Sequence, residues 1–168
     1  MRSITLITTG GTIEKTYDEH TGTLANRGSI VRQMLGRLRL EDTSVSIVEL
    51  LSKDSLEMTD ADRALIARAV SAAAADPATT GVVILHGTDT LTTTGEGLLA
   101  GGRPRVPVVL TGAMRPFEMD RSDALQNLTE AVFAAGVLPP GVYCVAHGRA
   151  LPFPGVTKDR ARNTFTPA

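Results

Sequence analysis

The stretch Ile4-Thr-Leu-Ile-Thr-Thr-Gly-Gly-Thr-Ile13 decides how the rest of the chain is read. Ile4 to Ile7 is a β-branched, apolar run, and Thr8-Thr9-Gly10-Gly11 stops it. A short apolar run bounded by glycines predicts a buried strand that ends in a tight turn. Outward from it, Val45 to Leu51, Gly81 to Leu85, Val106 to Leu110 and Val142 to Ala146 predict four more strands. Helical patterns lie between them. Ser29 to Leu40 carries Ile30, Val31, Met34, Leu35 and Leu38 at helical spacing. Thr59 and Asp62 form a capping box for a helix that runs to Ala75 and ends at Asp76-Pro77. A further helix is expected from Thr92 to Ala100. Ser122 is the expected cap of the next, which holds Leu125, Leu128, Val132 and Phe133. The tail contains Pro152, Pro154 and Pro167 and is expected to be mostly irregular.

Strands alternating with helices predict an α/β fold, a mostly parallel central sheet with helices on both faces. The expected architecture is a Rossmann-like or flavodoxin-like three-layer sandwich, one domain over residues 1–168. Such sheets bind ligands outside the carboxyl ends of their strands. The polar loops after strands one, two, three and four all fall on that edge. They are Thr9 to Thr12, Ser52 to Ser55, His86 to Thr90 and Thr111 to Pro116.

Composition narrows the function. The 168 residues carry a formal net charge of -1, aromatics are 4% and tryptophan is absent. Nucleic-acid binding would need a basic stripe with stacking aromatics, so no nucleic-acid partner is expected. No segment has the length of a membrane span, and the N-terminus lacks a signal-peptide pattern, so a cytoplasmic protein is expected. The single cysteine, Cys144, sits in an apolar run and reads as a buried small hydrophobe. No metal-ligand cluster is visible, and neither a metal nor an organic cofactor is expected.

Within the loops, Gly10-Gly11 allows a close backbone approach, and Thr12 follows at the strand's edge. A hydroxyl there is a weak nucleophile unless a base takes its proton. The glycine pair lacks the third glycine of a dinucleotide fingerprint and the ending of a P-loop. Thr88 and Asp89 supply a second hydroxyl and a carboxylate, although both residue types also cap helices. His86 reads as a structural histidine. Lys158, an ordinary surface lysine on its own, would tune proton transfer if it lay beside the threonine and aspartate.

These motifs in this order resemble the bacterial-type asparaginase family. Thr8-Thr-Gly-Gly-Thr-Ile13 is similar to its first signature and His86-Gly-Thr-Asp-Thr90 to its second. Thr111-Gly-Ala-Met-Arg-Pro116, Ser122-Asp123 and Val156-Thr-Lys158 match later segments, so the resemblance covers essentially the whole chain. It implies that Thr12 is the nucleophile of an acyl-enzyme mechanism and that Thr88, Asp89 and Lys158 form the supporting group. Substrate would be held by Gly11, Ser55, Gly87, Thr88, Asp89 and the backbone carbonyl of Ala113, with Asp89 on the α-amino group. Tyr17, on the polar lid-like loop from Glu14 to Gly28, corresponds to the family's mobile tyrosine, which fills or assists the role of base for the nucleophile's hydroxyl, but stands closer to the nucleophile in sequence.

The resemblance departs in two places. The chain ends ten residues after Lys158, where the common family architecture continues into a second domain. Short single-domain members are the better match, so the chain is expected to be complete, without a C-terminal domain. Leu56 stands where many members carry a polar residue. The expected reaction is hydrolysis of L-asparagine to L-aspartate and ammonia. A glutaminase or an ammonia-donating amidotransferase subunit is the first alternative, and a non-catalytic asparagine or aspartate binder the second. A homodimer or homotetramer is expected.

Overall fold

The computed structural model describes all 168 residues. Six strands form the central sheet: β1 (Arg2–Gly10), β4 (Thr43–Lys53), β5 (Gly81–Leu85), β6 (Pro107–Thr111), β7 (Gly141–Ala146) and β8 (Arg149–Pro152). Their order is β4-β1-β5-β6-β7-β8, parallel throughout except for the antiparallel β8 at one edge. The five parallel strands thus follow the flavodoxin-like order 2-1-3-4-5.

The apolar runs make this sheet because they are buried on both faces, as parallel strands require. Residues alternate strictly between two cores. Ile4, Leu6, Val83, Leu85 and Val109 face α1 (Val31–Leu35) and α4 (Ala124–Ala135). Ile7, Val82, Ile84, Val108 and Leu110 face α2 (Asp60–Ala75) and α3 (Leu91–Ala100). Thr59 and Asp62 close the capping box of α2 as the sequence predicts: each side chain accepts from the other's backbone N–H. Buried in this second core, Cys144 has its thiol pushed up to about 12 by desolvation and is chemically inert.

Four expectations need correction. The helix read over residues 29–40 is only the short α1, because Gly36 follows it and the chain then turns. Leu38 and Leu40 still pack on the core from that turn. The N-cap position of α4 is Asp123 rather than Ser122, although the Asp123 side chain makes no capping bond. The Ser122 hydroxyl accepts from the Ala124 N–H and donates to the Arg115 carbonyl, which ties the preceding loop to the helix. Phe133, read as part of this helix's apolar set, is 60% exposed, with the Arg2 guanidinium 5.6 Å from its ring.

The tail is not irregular. After β8 comes an antiparallel hairpin, β9 (Val156–Asp159) and β10 (Thr164–Pro167), with Lys158 opposite Phe165. Phe165 and Val156 are buried in the second core, and this burial overrides the tail's prolines. The long polar loop after β1 also has structure: a 3-10 turn at Thr12–Glu14, then the hairpin β2 (Thr16–Asp18) and β3 (Thr23–Ala25).

Candidate active site

β1 is flanked by β4 and β5, so the chain leaves it once in each direction across the sheet. The carboxyl ends of β1 and β5 therefore form the crevice where the strand order reverses. Thr12 follows the first of these ends and Thr88 the second.

Glycines bring the loops together. Gly10 and Gly11 take φ of 98° and 80°, a region that side chains disfavour. A Cβ at Gly11 would lie 2.4 Å from the Gly87 nitrogen, and one at Gly87 would lie 2.5 Å from the Ser55 hydroxyl. A Cβ at Gly112 would lie 2.3 Å from the His86 carbonyl oxygen and 3.1 Å from the Thr88 methyl. The loops after β1, β4, β5 and β6 are thus in direct contact, and only glycine permits it. Gly11, Ser55, Gly87 and Thr88 belong to this junction, and Ala113 follows Gly112 in the loop after β6. Thr12 is half-buried, immediately beyond the Gly11–Gly87 contact.

Beside that contact lies the charged cluster. Lys158, carried over on β9, donates to the Thr88 hydroxyl at 2.8 Å and to Asp89 Oδ1 at 2.9 Å. Arg160 donates to the same Oδ1 at 2.9 Å. Lys158 first, then Arg160, holds the Asp89 carboxyl below its usual range, so it is ionised at neutral pH. Ser55 is buried, with its hydroxyl accepting from the Thr90 N–H and its carbonyl from the Thr90 hydroxyl. The adjoining Asp54 pairs with Lys15 at 2.6 Å, which depresses its pKa.

His86 is fully buried between the Gly87 carbonyl and the Thr94 hydroxyl, and desolvation lowers its pKa to about 4. It is neutral and structural, as its sequence context suggests. Ala113 is buried in the loop after β6, and Asp123 anchors that loop by accepting from the Met114 and Arg115 N–H groups. Burial pushes the Asp123 pKa up, but those N–H groups and His147 outweigh it, and the carboxyl lies below its usual range.

Tyr17 is not drawn into the cluster. It is 57% exposed on β2, and its N–H donates to Glu118. Its cleft is shared with Gly22, Leu24, Glu118 and Met119, none of them a cluster residue. Leu56, next to Ser55, is exposed.

Sequence reasoning missed Glu14 and Arg160. Glu14, two residues past Thr12, is fully buried and accepts from the Gly10 N–H and the Ser29 hydroxyl. Desolvation raises its pKa to about 7, against the lowering effect of those hydrogen bonds. The available signal was an acid directly after the apolar Ile13 and three residues past the glycine turn. Arg160 lies in the turn just after β9, and nothing local in a tail read as irregular marked it.

Glu14 gives a stability prediction. Its proton is held more tightly folded than unfolded, so its contribution is complete below about pH 4.5 and lost as pH rises through about 7. The loss amounts to about 3 kcal/mol. Glu14→Gln keeps the shape without the titration. Its melting temperature relative to wild type is expected to rise by about 5–10 °C between pH 5 and pH 8. Parallel pH–stability curves for the two proteins would contradict this.

Residues 3–166 match the family profile described as Asparaginase, N-terminal. The chain belongs to the asparaginase family. It is 37% identical over 136 residues to an L-asparaginase of Thermococcus kodakarensis, a match covering 80% of this chain and 41% of that protein. The solved structure of the thermostable L-asparaginase from that organism superposes with a TM-score of 0.88 at 32% identity, covering 98% of this chain and 51% of that one. A glutamyl-tRNA(Gln) amidotransferase subunit of Methanococcus vannielii is 31% identical over 152 residues, covering 88% of this chain and 35% of that protein. This asparaginase-family chain therefore spans about half or less of the length of the relatives it matches. No helix in it is long and apolar enough to cross a membrane.

Proposed function

We propose that the protein is an L-asparaginase that hydrolyses L-asparagine to L-aspartate and ammonia through an acyl-enzyme on Thr12. The observation that carries this reading is the Lys158–Thr88–Asp89 cluster at the reversal of strand order, one glycine contact away from Thr12.

In this reading the Thr12 hydroxyl oxygen attacks the side-chain amide carbon. The Thr88 N–H takes the developing oxyanion. The C–N bond then breaks, and the nitrogen leaves as ammonia with the proton given up by Thr12. Thr88 serves that transfer. Its oxygen accepts from Lys158, so its own hydrogen is free for the departing nitrogen. Water next adds to the acyl carbon, Thr12 regains its proton, and L-aspartate leaves. Gly11, Ser55, Gly87 and Asp89 hold the amino-acid end of the substrate, and the Ala113 carbonyl accepts from the amide nitrogen. Tyr17 contributes only through closure of the β2–β3 hairpin over the crevice.

The test is ammonia release from L-asparagine and L-glutamine, repeated with hydroxylamine present. Ammonia from asparagine, with aspartyl hydroxamate formed when hydroxylamine competes with water, supports an acyl-transfer asparaginase. A folded protein that releases ammonia from neither amide contradicts it. The similarity to the Methanococcus vannielii amidotransferase favours a second reading, an ammonia-donating amidotransferase component, which would turn over its amide only with its partner. The proposed working form is a cytoplasmic homodimer or homotetramer. The exposed Phe133 and Val137 near the end of α4 support self-association. A monodisperse monomer in light scattering would contradict it.

A further inference from the structure

Arg160 reaches the carboxylate that the amidohydrolase reading reserves for the substrate's ammonium group. Asp89 Oδ1 already accepts from two cations, Lys158 and Arg160, each at 2.9 Å. The neighbouring Lys15 and Asp54 neutralise each other. Lys158, Arg160 and Asp89 together therefore carry one positive charge in excess where an ammonium group would have to sit. An α-ammonium ligand must either displace the guanidinium or approach it. An amide with a carboxylate and no ammonium meets neither obstacle, and the remaining guanidinium N–H groups suit its carboxylate. The Arg160 side chain is 70% exposed, so its remaining N–H groups are open to a ligand while the guanidinium stays on Asp89.

We propose that Arg160 sets the substrate class of this crevice: by standing on Asp89 in place of a substrate ammonium, it lets the site accept ω-amides of dicarboxylic acids that carry no α-ammonium group. The proposal rests on the amidohydrolase reading and extends it from asparagine to the succinamate class. Hydrolysis is the same in both cases: the C–N bond breaks, water supplies the hydroxyl, and ammonia leaves.

The test compares succinamate with L-asparagine, in wild type and in Arg160→Gln. The quantity read is the ratio of the two kcat/KM values. Calorimetry with the products, succinate and L-aspartate, gives the corresponding binding ratio without requiring catalysis. Wild type is expected to use succinamate within about tenfold of asparagine, and Arg160→Gln to lower the ratio at least about tenfold. Both ratios unchanged in the variant would overturn the proposal. Ammonia from neither amide, with a shifted calorimetric ratio, would sink the amidohydrolase reading and leave the charge assignment standing.

Discussion

Thr12→Ala is expected to lower the rate of ammonia release from L-asparagine at least about a thousandfold while the protein stays folded and still binds L-aspartate. The size follows from the role. A nucleophile has no substitute within a covalent mechanism, and its removal leaves only oxyanion stabilisation and positioning. Binding survives because the contacts assigned to it lie elsewhere. Asp89 keeps its ion pairs, Ser55 keeps its bonds to Thr90, and Gly11 keeps its seat against Gly87. Steady-state kinetics alongside calorimetry separates the two. A thousandfold fall in kcat with product affinity preserved supports the assignment, and turnover within tenfold of wild type removes it.

Lys158→Met is the second large effect. Lys158 is the one side chain that touches both the Thr88 hydroxyl and Asp89, and its own side chain is only 13% exposed. Methionine keeps the stem packed and removes the three donors. Thr88 then loses the group that polarises it, whereas Asp89 keeps Arg160. The expected loss is in kcat, about 10²–10⁴-fold, because the proton path is cut at Thr88. KM should change far less, since the carboxylate remains charged and paired. A variant whose KM rises while kcat stays put would make Lys158 a binding residue instead.

Much of the fold was legible because its signals are local. Gly81 to Leu85 is an uninterrupted apolar run between glycine punctuation, and the strand occupies those residues. The Thr59–Asp62 pair marks the start of α2 on its own. The elements misread depend on partners far along the chain. Nothing local in Arg149 to Pro167 outweighs three prolines, but pairing with β7 and burial of Phe165 make strands there. Gly36 ends α1, although the apolar pattern runs on to Leu40, because those later leucines pack from a turn.

The site divides in the same way. The motif residues Gly11, Thr12, Ser55, Gly87, Thr88, Asp89, Ala113 and Lys158 were nameable in advance through the family resemblance; topology gathers the loops after β1, β4, β5 and β6 on one edge, whereas Lys158 arrives on the β9–β10 hairpin. Glu14 was not, because whether an acid beside a turn is solvated or buried depends on Ser29 and on the core around Ile13. The lid-like reading of residues 14–28 did not place Tyr17. Its position follows from the pairing of Tyr17 with Leu24 and from the tether to Glu118, both set by the folded hairpin.

The central claim is that Thr12 forms a covalent bond with the substrate's acyl group. Rapid acid quench during turnover of L-asparagine, followed by peptide mass mapping, reads that bond directly. An aspartyl ester on the peptide containing Thr12, absent in Thr12→Ala, is the result expected. Sustained turnover with the acyl group on Thr88, or with no acylated peptide at all, would contradict it.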